Sequence, residues 1–274
     1  MGIIGDIILG IVQGLAEFLP ISSKGHLVLA QKFLGYEVHD LAYDLVLHLA
    51  TLLAIFVVFR KFLAHLIAQC WISIKERKMN AGMRLALMVA FATVPAGIIG
   101  LKFKSFFESL FGNITVLGYG FIWTGLILFL TRRIKSKSIN MISDAPDQLL
   151  KEFETVSYGK ALIVGCFQCL ALLPGVSRSG MTIAAGLFAG MTGGAASVFS
   201  FMLSIPTILG AAVLKLSEVE NLGERLPSYS IGFVASFIFG LIGLKVVLAA
   251  VKKNRLELFA AYVWIWAIIC LFVM

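Results

Sequence analysis

Two short stretches of this chain hold residue types that could do chemistry together. The first, Gln13-Gly-Leu-Ala-Glu17-Phe-Leu-Pro20-Ile-Ser22-Ser23-Lys24-Gly25-His26, sets a carboxylate, two hydroxyls, an ammonium and an imidazole inside otherwise apolar sequence. The second, Pro174-Gly175-Val-Ser177-Arg178-Ser179-Gly180-Met-Thr182, places an arginine between serines. Ionisable groups in lipid-like surroundings are costly, so they read as a functional site. Arg178 offers a planar fork of donors suited to phosphate, and Lys24 adds a point charge. Glu17 lies one helical turn after Gln13 on the same face, a carboxylate and amide able to hold a divalent cation (Mg²⁺ or Ca²⁺) or to orient a nucleophile. His26, one turn past Ser22 and Ser23, is an acid/base or nucleophile candidate. Each serine alone is accounted for as a helix cap, and His26 alone as a hydrogen-bonded buried imidazole. Taken together and opposite Arg178, they point to an anionic ligand and acid–base chemistry upon it.

The elements that must position these groups are those of a polytopic membrane protein. Of 274 residues, 59% are hydrophobic and 14% charged, and the mean hydropathy is +0.96. Soluble domains are nearer half apolar and a quarter charged. The formal charge of +8 is not set out as a basic stripe interleaved with aromatics, which excludes a nucleic-acid partner and fits cytoplasmic Lys and Arg. The start lacks a basic n-region, against a cleaved signal peptide, and Asp6 stands where a myristoylation motif wants Ser or Thr. Cys70, Cys166, Cys169 and Cys270 suggest no disulfide framework. The Cys166/Cys169 pair has no second Cys or His pair to complete a zinc site, and reads as two small apolar residues on a buried helix.

Residues 3–19 and 25–34 are two apolar runs broken by Pro20, the serines and Gly35. Neither reaches the roughly 20 residues that a helix needs to cross a bilayer, so they are expected to form a re-entrant hairpin. Residues 159–173 and the run ending at Gly190 repeat the pattern. Full spans are expected at about 40–60, 83–103, 114–132, 195–217, 228–252 and 256–273. Residues 60–84 read as a basic loop, and Lys102 to Phe111 as an amphipathic interfacial segment. Asp44 and His48, four apart on the first span, would bond each other at the cavity rim. Shifting the chain by 155 positions sets Ile8, Gly10, Gln13, Leu15, Ala16, Ser22, Gly25, Ala30, Phe33 and Gly35 on identical residues, ten matches over 28 positions. The chain is an internal duplication.

The fold class expected is therefore an all-α polytopic membrane protein, an inverted-topology repeat in which each half is a re-entrant helical hairpin plus three transmembrane helices. It forms a single membrane domain over 1–274, with repeat 1 at about 1–135, a polar cytoplasmic loop at about 133–158, and repeat 2 at about 159–274. Three spans between the hairpins make the second copy enter from the opposite face. The basic stretches 60–84, 132–137 and Lys252-Lys253-Asn-Arg255 would be cytoplasmic, and Glu218, Glu220, Glu224 and Arg225 would lie outside. Half-helix N-termini near Ser22-Ser23 and Ser177-Arg178-Ser179 would converge at midplane as an anion site.

Both motifs closely resemble the signatures of the bacterial undecaprenyl-diphosphate phosphatase family, the bacitracin-resistance type, and the likeness runs through Gln168 and Phe199-Ser-Phe. The resemblance implies an integral enzyme of the bacterial inner membrane, its site open to the outer face, that removes the terminal phosphate of a prenyl diphosphate lipid to recycle the carrier for cell-wall synthesis. By match, Gln13 and Glu17 fall on (E/Q)-x-x-x-E, Ser22, Ser23 and His26 on its continuation, and Ser177, Arg178 and Thr182 on PGxSRSxxT. The implied roles are diphosphate binding by Arg178, Ser177, Ser179, Thr182, Gln13 and Lys24, with Glu17, Ser22, Ser23 and His26 catalytic. The nucleophile would be Ser23 or Ser22 activated by Glu17 or His26, or else His26 itself or a water. Bilayer lipid is the surrounding partner, a homodimer is left open, and no organic cofactor is expected. The alternative is a lipid or anion transporter or flippase, whose architecture is similar. The asymmetry between copies speaks against it: Glu17 and His26 face Leu172 and Met181 in the repeat, and Ser23 faces Arg178.

Overall fold

Proline and glycine interrupt the first apolar run, and the chain folds back there instead of crossing. The computed structural model describes residues 2–36, 41–134, 146–215 and 222–273. Helix α1 (Ile3–Phe18) ends where Pro20 forces Leu19 into extended backbone at φ −62°, ψ 140°, and α2 (Ser23–Phe33) returns. There follow α3 (Leu41–Val58), α4 (Arg60–Glu76), α5 (Ala81–Lys102), α6 (Lys104–Leu110), α7 (Ile114–Leu130), α8 (Pro146–Glu152), α9 (Tyr158–Leu170), α10 (Arg178–Phe188), α11 (Gly193–Lys215), α12 (Leu222–Lys252) and α13 (Leu258–Phe272). Every described element is helical, as the sequence predicts.

Among the described residues, four helices are long and apolar enough to cross a membrane, and the bent pair α3–α4 makes up to five. The expected spans coincide with α3, α5, α7, α11 and α12. Helix α13, expected as a full span, has 15 residues, about 22 Å at 1.5 Å per residue, and packs along α7. The hairpin helices α1, α2, α9 and α10 are each shorter than a span needs.

Two expectations are corrected here. Residues 60–76 of the basic stretch form α4, bent 77° from α3. Phe62, Leu66, Ile67, Trp71 and Ile74 recur at helical spacing among the charges, and Ile67 and Trp71 are exposed. The segment is thus a helix whose Phe62 and Leu66 pack on the core while Ile67, Trp71 and Ile74 form an exposed apolar strip. Its left-handed C-cap at Arg77 ends it. The polar loop holds α8, which packs on α4, α5 and α11. Cys166 is exposed on α9 and Cys169 half-buried, so this pair is not in a buried core. Lys135, Lys137, Glu218 and Glu220, assigned above to the two faces, lie outside the described residues, as do the side chains of Glu224 and Arg225.

The duplication is visible in how helices pair. Helix α1 packs on α12 and α9 on α5, α3 lies against α12 and α11 against α5, and each hairpin closes as α1 on α2 and α9 on α10. Exchanging the copies turns each pair into the other. Equivalent glycines do equivalent work: a methyl group on Gly10 would come within 2.6 Å of Gly232 O, and one on Gly165 within 2.5 Å of Ala92 O. Only a bare Cα lets those backbones approach so closely. Gly35 and Gly190, also 155 apart, end α2 and α10 at φ +71° and +75°.

Candidate active site

The two hairpin tips meet in the middle of the helix bundle, and the site is built from their contact. Gln13 and Glu17 project from the last turns of α1, 0% and 6% exposed. After Pro20 the chain tightens through a bond from Ile21 N to Leu19 O (2.8 Å). Ser22 then caps α2, accepting from Gly25 N at 3.4 Å. This leaves Ser23 as the first helical residue, its Oγ donating to Glu17 Oε2 at 2.7 Å. Gln13 Nε2 donates to the same oxygen at 3.1 Å.

The second tip is cut to the same pattern. Ser177, the counterpart of Ser22, accepts from Gly180 N at 3.1 Å and so starts α10 at Arg178. Arg178 reaches across to the first tip: Nη2 donates to Glu17 Oε1, and Nη1 donates to Ser204 Oγ on α11. Ser179 Oγ also crosses, donating to Leu19 O at 3.2 Å. The carboxylate, the guanidinium and the N-termini of α2 and α10 thus surround one point. An anion there would meet positive helix ends and two-pronged donors.

The tips differ in strain. Ser22 sits at φ +73°, ψ 92°, whereas Ser177 is extended at φ −80°, ψ 118°. A non-glycine residue held there costs about 1–3 kcal/mol and persists only where its surroundings fix it. His26 supplies part of that fixing: its backbone N (3.1 Å) and ring Nδ1 (2.9 Å) both meet Ser22 O. The ring's Nε2 meets Tyr262 OH at 3.0 Å, inside a cage of Phe121, Tyr262 and Trp266. Both nitrogens of His26 are therefore engaged with the scaffold.

Of the residues singled out from sequence, the structure brings Gln13, Glu17, Ser23 and Arg178 into one hydrogen-bonded cluster. Ser22 and Ser177 cap their helices, and Ser179 joins the tips. Thr182 is fully buried, donating to Arg178 O (2.8 Å) and bonded to Ser200 Oγ (2.6 Å). Lys24 is exposed, its Nζ 5.3 Å from the centre of the Phe111 ring. For a cation, Gln13 Oε1 is a buried oxygen with no protein partner beside Glu17. That pair fits an ion completed by substrate phosphates and water, as Mg²⁺ commonly is. Among the described residues, no three His, Cys, Asp or Glu groups gather as a metal site.

Ser204 and Thr124 were not legible as site residues, and His48 only as a residue of the cavity rim. His48 Nε2 lies 3.6 Å from Glu17 Oε2. The bond expected between the Asp44 and His48 side chains is replaced: His48 Nδ1 meets the backbone Asp44 O at 2.6 Å, and the Asp44 carboxylate accepts from Gln31 Nε2 at 3.4 Å. Ser204 carries Arg178, and the spacing of Ser197, Ser200 and Ser204 along an apolar run was the signal for a polar stripe on α11. Thr124 on α7 pins the second tip, donating to Gly175 O and accepting from Ser177 N, both at 3.0 Å. Thr124→Val keeps the shape and leaves both backbone groups unpaired, at about 1–3 kcal/mol each. Its melting temperature should fall, and with Arg178 less firmly aimed kcat should drop about tenfold; parallel unfolding and phosphate-release measurements check this.

A family model described as bacitracin resistance protein BacA matches residues 6–269. The chain is 43% identical over 264 residues to an undecaprenyl-diphosphatase of Carboxydothermus hydrogenoformans, covering 94% of this chain and 92% of that protein. It is 39% identical over 280 residues to an undecaprenyl-diphosphatase of Methanobrevibacter smithii (98% and 96% covered). A third protein of that name, from Desulforapulum autotrophicum, is 36% identical over 274 residues (96% and 95% covered).

Proposed function

This chain belongs to the bacitracin resistance protein BacA family, and from that premise we propose how it acts as an undecaprenyl-diphosphate phosphatase. It is a multi-pass membrane enzyme that hydrolyses the terminal phosphate of a prenyl diphosphate, leaving the prenyl phosphate and inorganic phosphate. The observation that carries the site assignment is Ser23 Oγ bonded to a carboxylate oxygen of Glu17 while Arg178 holds the other.

The terminal phosphoryl group is bound between Ser23 and Arg178, with the N–H groups of α2 and α10 facing its oxygens. Ser23 Oγ attacks phosphorus and its proton passes to Glu17, while the bond to the bridging oxygen breaks and the prenyl phosphate leaves. Arg178 and the helix ends stabilise charge on the transferred group, the principal task in phosphoryl transfer. Glu17 gives that proton to the departing prenyl phosphate; water then attacks the phosphoserine, Glu17 takes one of its protons and returns it to the departing Ser23 Oγ. Ser22 is occupied as a cap and His26 as a clamp on it, which favours Ser23 among the candidate nucleophiles. Gln13 and Glu17 are the residues that would hold Mg²⁺ or Ca²⁺; when bound, such an ion supplies charge neutralisation on the diphosphate.

We further propose that the protein resides in the plasma membrane with the site open to the outer face. Arg60, Lys61, Arg77, Lys78, Arg132, Arg133, Lys252 and Lys253 are exposed around the C-terminal ends of α3, α4, α7 and α12, which the positive-inside rule assigns to the cytoplasm. Purified protein in detergent should release inorganic phosphate from a prenyl diphosphate. Binding of that lipid without release would instead favour the transporter reading.

A further inference from the structure

We propose that Tyr262 of α13 is a positioning residue for the reaction: it holds His26, His26 holds the Ser22 carbonyl, and that carbonyl sets where Ser23 Oγ points. The inference rests on the phosphatase reading above and concerns a residue outside both motifs. Tyr262 OH lies 3.0 Å from His26 Nε2, and His26 Nδ1 lies 2.9 Å from Ser22 O. A carbonyl only accepts, so Nδ1 carries the hydrogen. In the neutral ring Nε2 is then the acceptor, and the tyrosine hydroxyl donates to it.

Strain at the first tip is what this relay opposes. Ser22 at φ +73°, ψ 92° lies outside the helical and extended regions, and without support it would relax toward them. Such a rotation turns the Ser22 carbonyl and the peptide leading into Ser23 together. A carbonyl that accepts from both His26 N (3.1 Å) and Nδ1 is held against it, and Ser23 Oγ stays 2.7 Å from Glu17 Oε2. The second tip has no such need. Its cap, Ser177, is in extended backbone at φ −80°, and the residue at the place of His26 is Met181, fully buried in an apolar cluster. The clamp stands at the tip that carries the strained serine and the attacking hydroxyl.

The hydroxyl works by fixing the tautomer. An imidazole with its hydrogen on Nε2 would turn a lone pair toward Ser22 O and release it. By donating to Nε2, the tyrosine keeps the hydrogen on Nδ1. The rest of the side chain is tied less closely to the site: the ring stacks on His26 at 5.5 Å with 10° between the planes, and the residue is 40% exposed. Taking away the oxygen alone keeps that stack and opens no cavity in the core.

The test is kcat and KM for phosphate release from farnesyl diphosphate by the full-length protein in detergent, for wild type, Tyr262→Phe, Ser22→Gly and the double variant. Tyr262→Phe should lower kcat about tenfold, the net effect of one hydrogen bond, and keep KM within about twofold. Ser22→Gly removes the strain, since glycine takes positive φ freely, so on that background the loss of the hydroxyl should change kcat by less than about twofold. In nitrogen-15 spectra of histidine-labelled protein, with His26 assigned through His26→Gln, the Nε2 resonance should move downfield in Tyr262→Phe as its donor is lost. Tyr262→Phe within about twofold of wild-type kcat overturns the inference. So does a loss of about tenfold that persists on the Ser22→Gly background, or an unmoved Nε2 resonance. A wild type that releases no phosphate would instead overturn the phosphatase reading.

Discussion

Arg178→Ala should reduce kcat/KM for phosphate release by about 10³-fold or more. A single preorganised donor to a developing oxyanion is worth about 10²–10³, and an arginine facing a transferring phosphoryl group about 10³–10⁵. Arg178 also ties the tips, with one Nη on Glu17 and the other on Ser204. Arg178→Lys should recover little, because an ammonium cannot span the two partners as a planar fork does. Opening a buried pair leaves Glu17 with an uncompensated charge, at about 3–5 kcal/mol in stability. A thermal unfolding curve must therefore accompany the rate. Folded Arg178→Ala that works within tenfold of wild type would sink the site assignment.

The second large effect is Ser23→Ala, for which we expect kcat to fall about 10⁴-fold or more, as losses of a nucleophile do. Stability should change by only about 1 kcal/mol, the net worth of one hydrogen bond, because Ser23 is partly exposed and caps nothing. Ser22→Ala is the contrasting control. It removes a cap at about 1 kcal/mol from a residue at φ +73°, so its loss should fall on stability before rate. Acid quench of a single turnover with labelled diphosphate should trap phosphate on Ser23. Substantial turnover by Ser23→Ala would hand the attack to water.

The hairpins, and the pairing of Glu17 and Ser23 with Arg178, could be read from the sequence because their causes are local. Pro20 and Pro174-Gly175 stop helices, Ser22 and Ser177 start them, and the shift of 155 positions predicts that the two tips match. The α4 helix was hidden because its charges masked the helical spacing of Phe62, Leu66, Trp71 and Ile74, of which Phe62 and Leu66 pack into the core while Trp71 and Ile74 are exposed. Thr124, and the contact of His48 with Glu17, were hidden for another reason. Their partners, Glu17 and the Gly175–Ser177 turn, lie 31 and about 50 residues away in the chain, and only the packing of α3 on α1 and of α7 on the second tip brings them together. His26 was legible as a residue of the site, but not its attachment to Tyr262 of α13, 236 positions on.

The contact between unlike tips also bears on descent. In a dimer of identical half-chains, every substitution enters both tips at once, so a serine facing an arginine could not arise at related positions. With both copies in one gene, each tip is inherited and selected separately: Ser23 could stand where its sibling has Arg178, and Glu17 where its sibling has Leu172. A one-sided chemistry could then evolve on a scaffold that kept its ancestral symmetry. The relics of that symmetry are the parts that had no reason to diverge, the paired caps of Ser22 and Ser177 and the paired closures at Gly35 and Gly190.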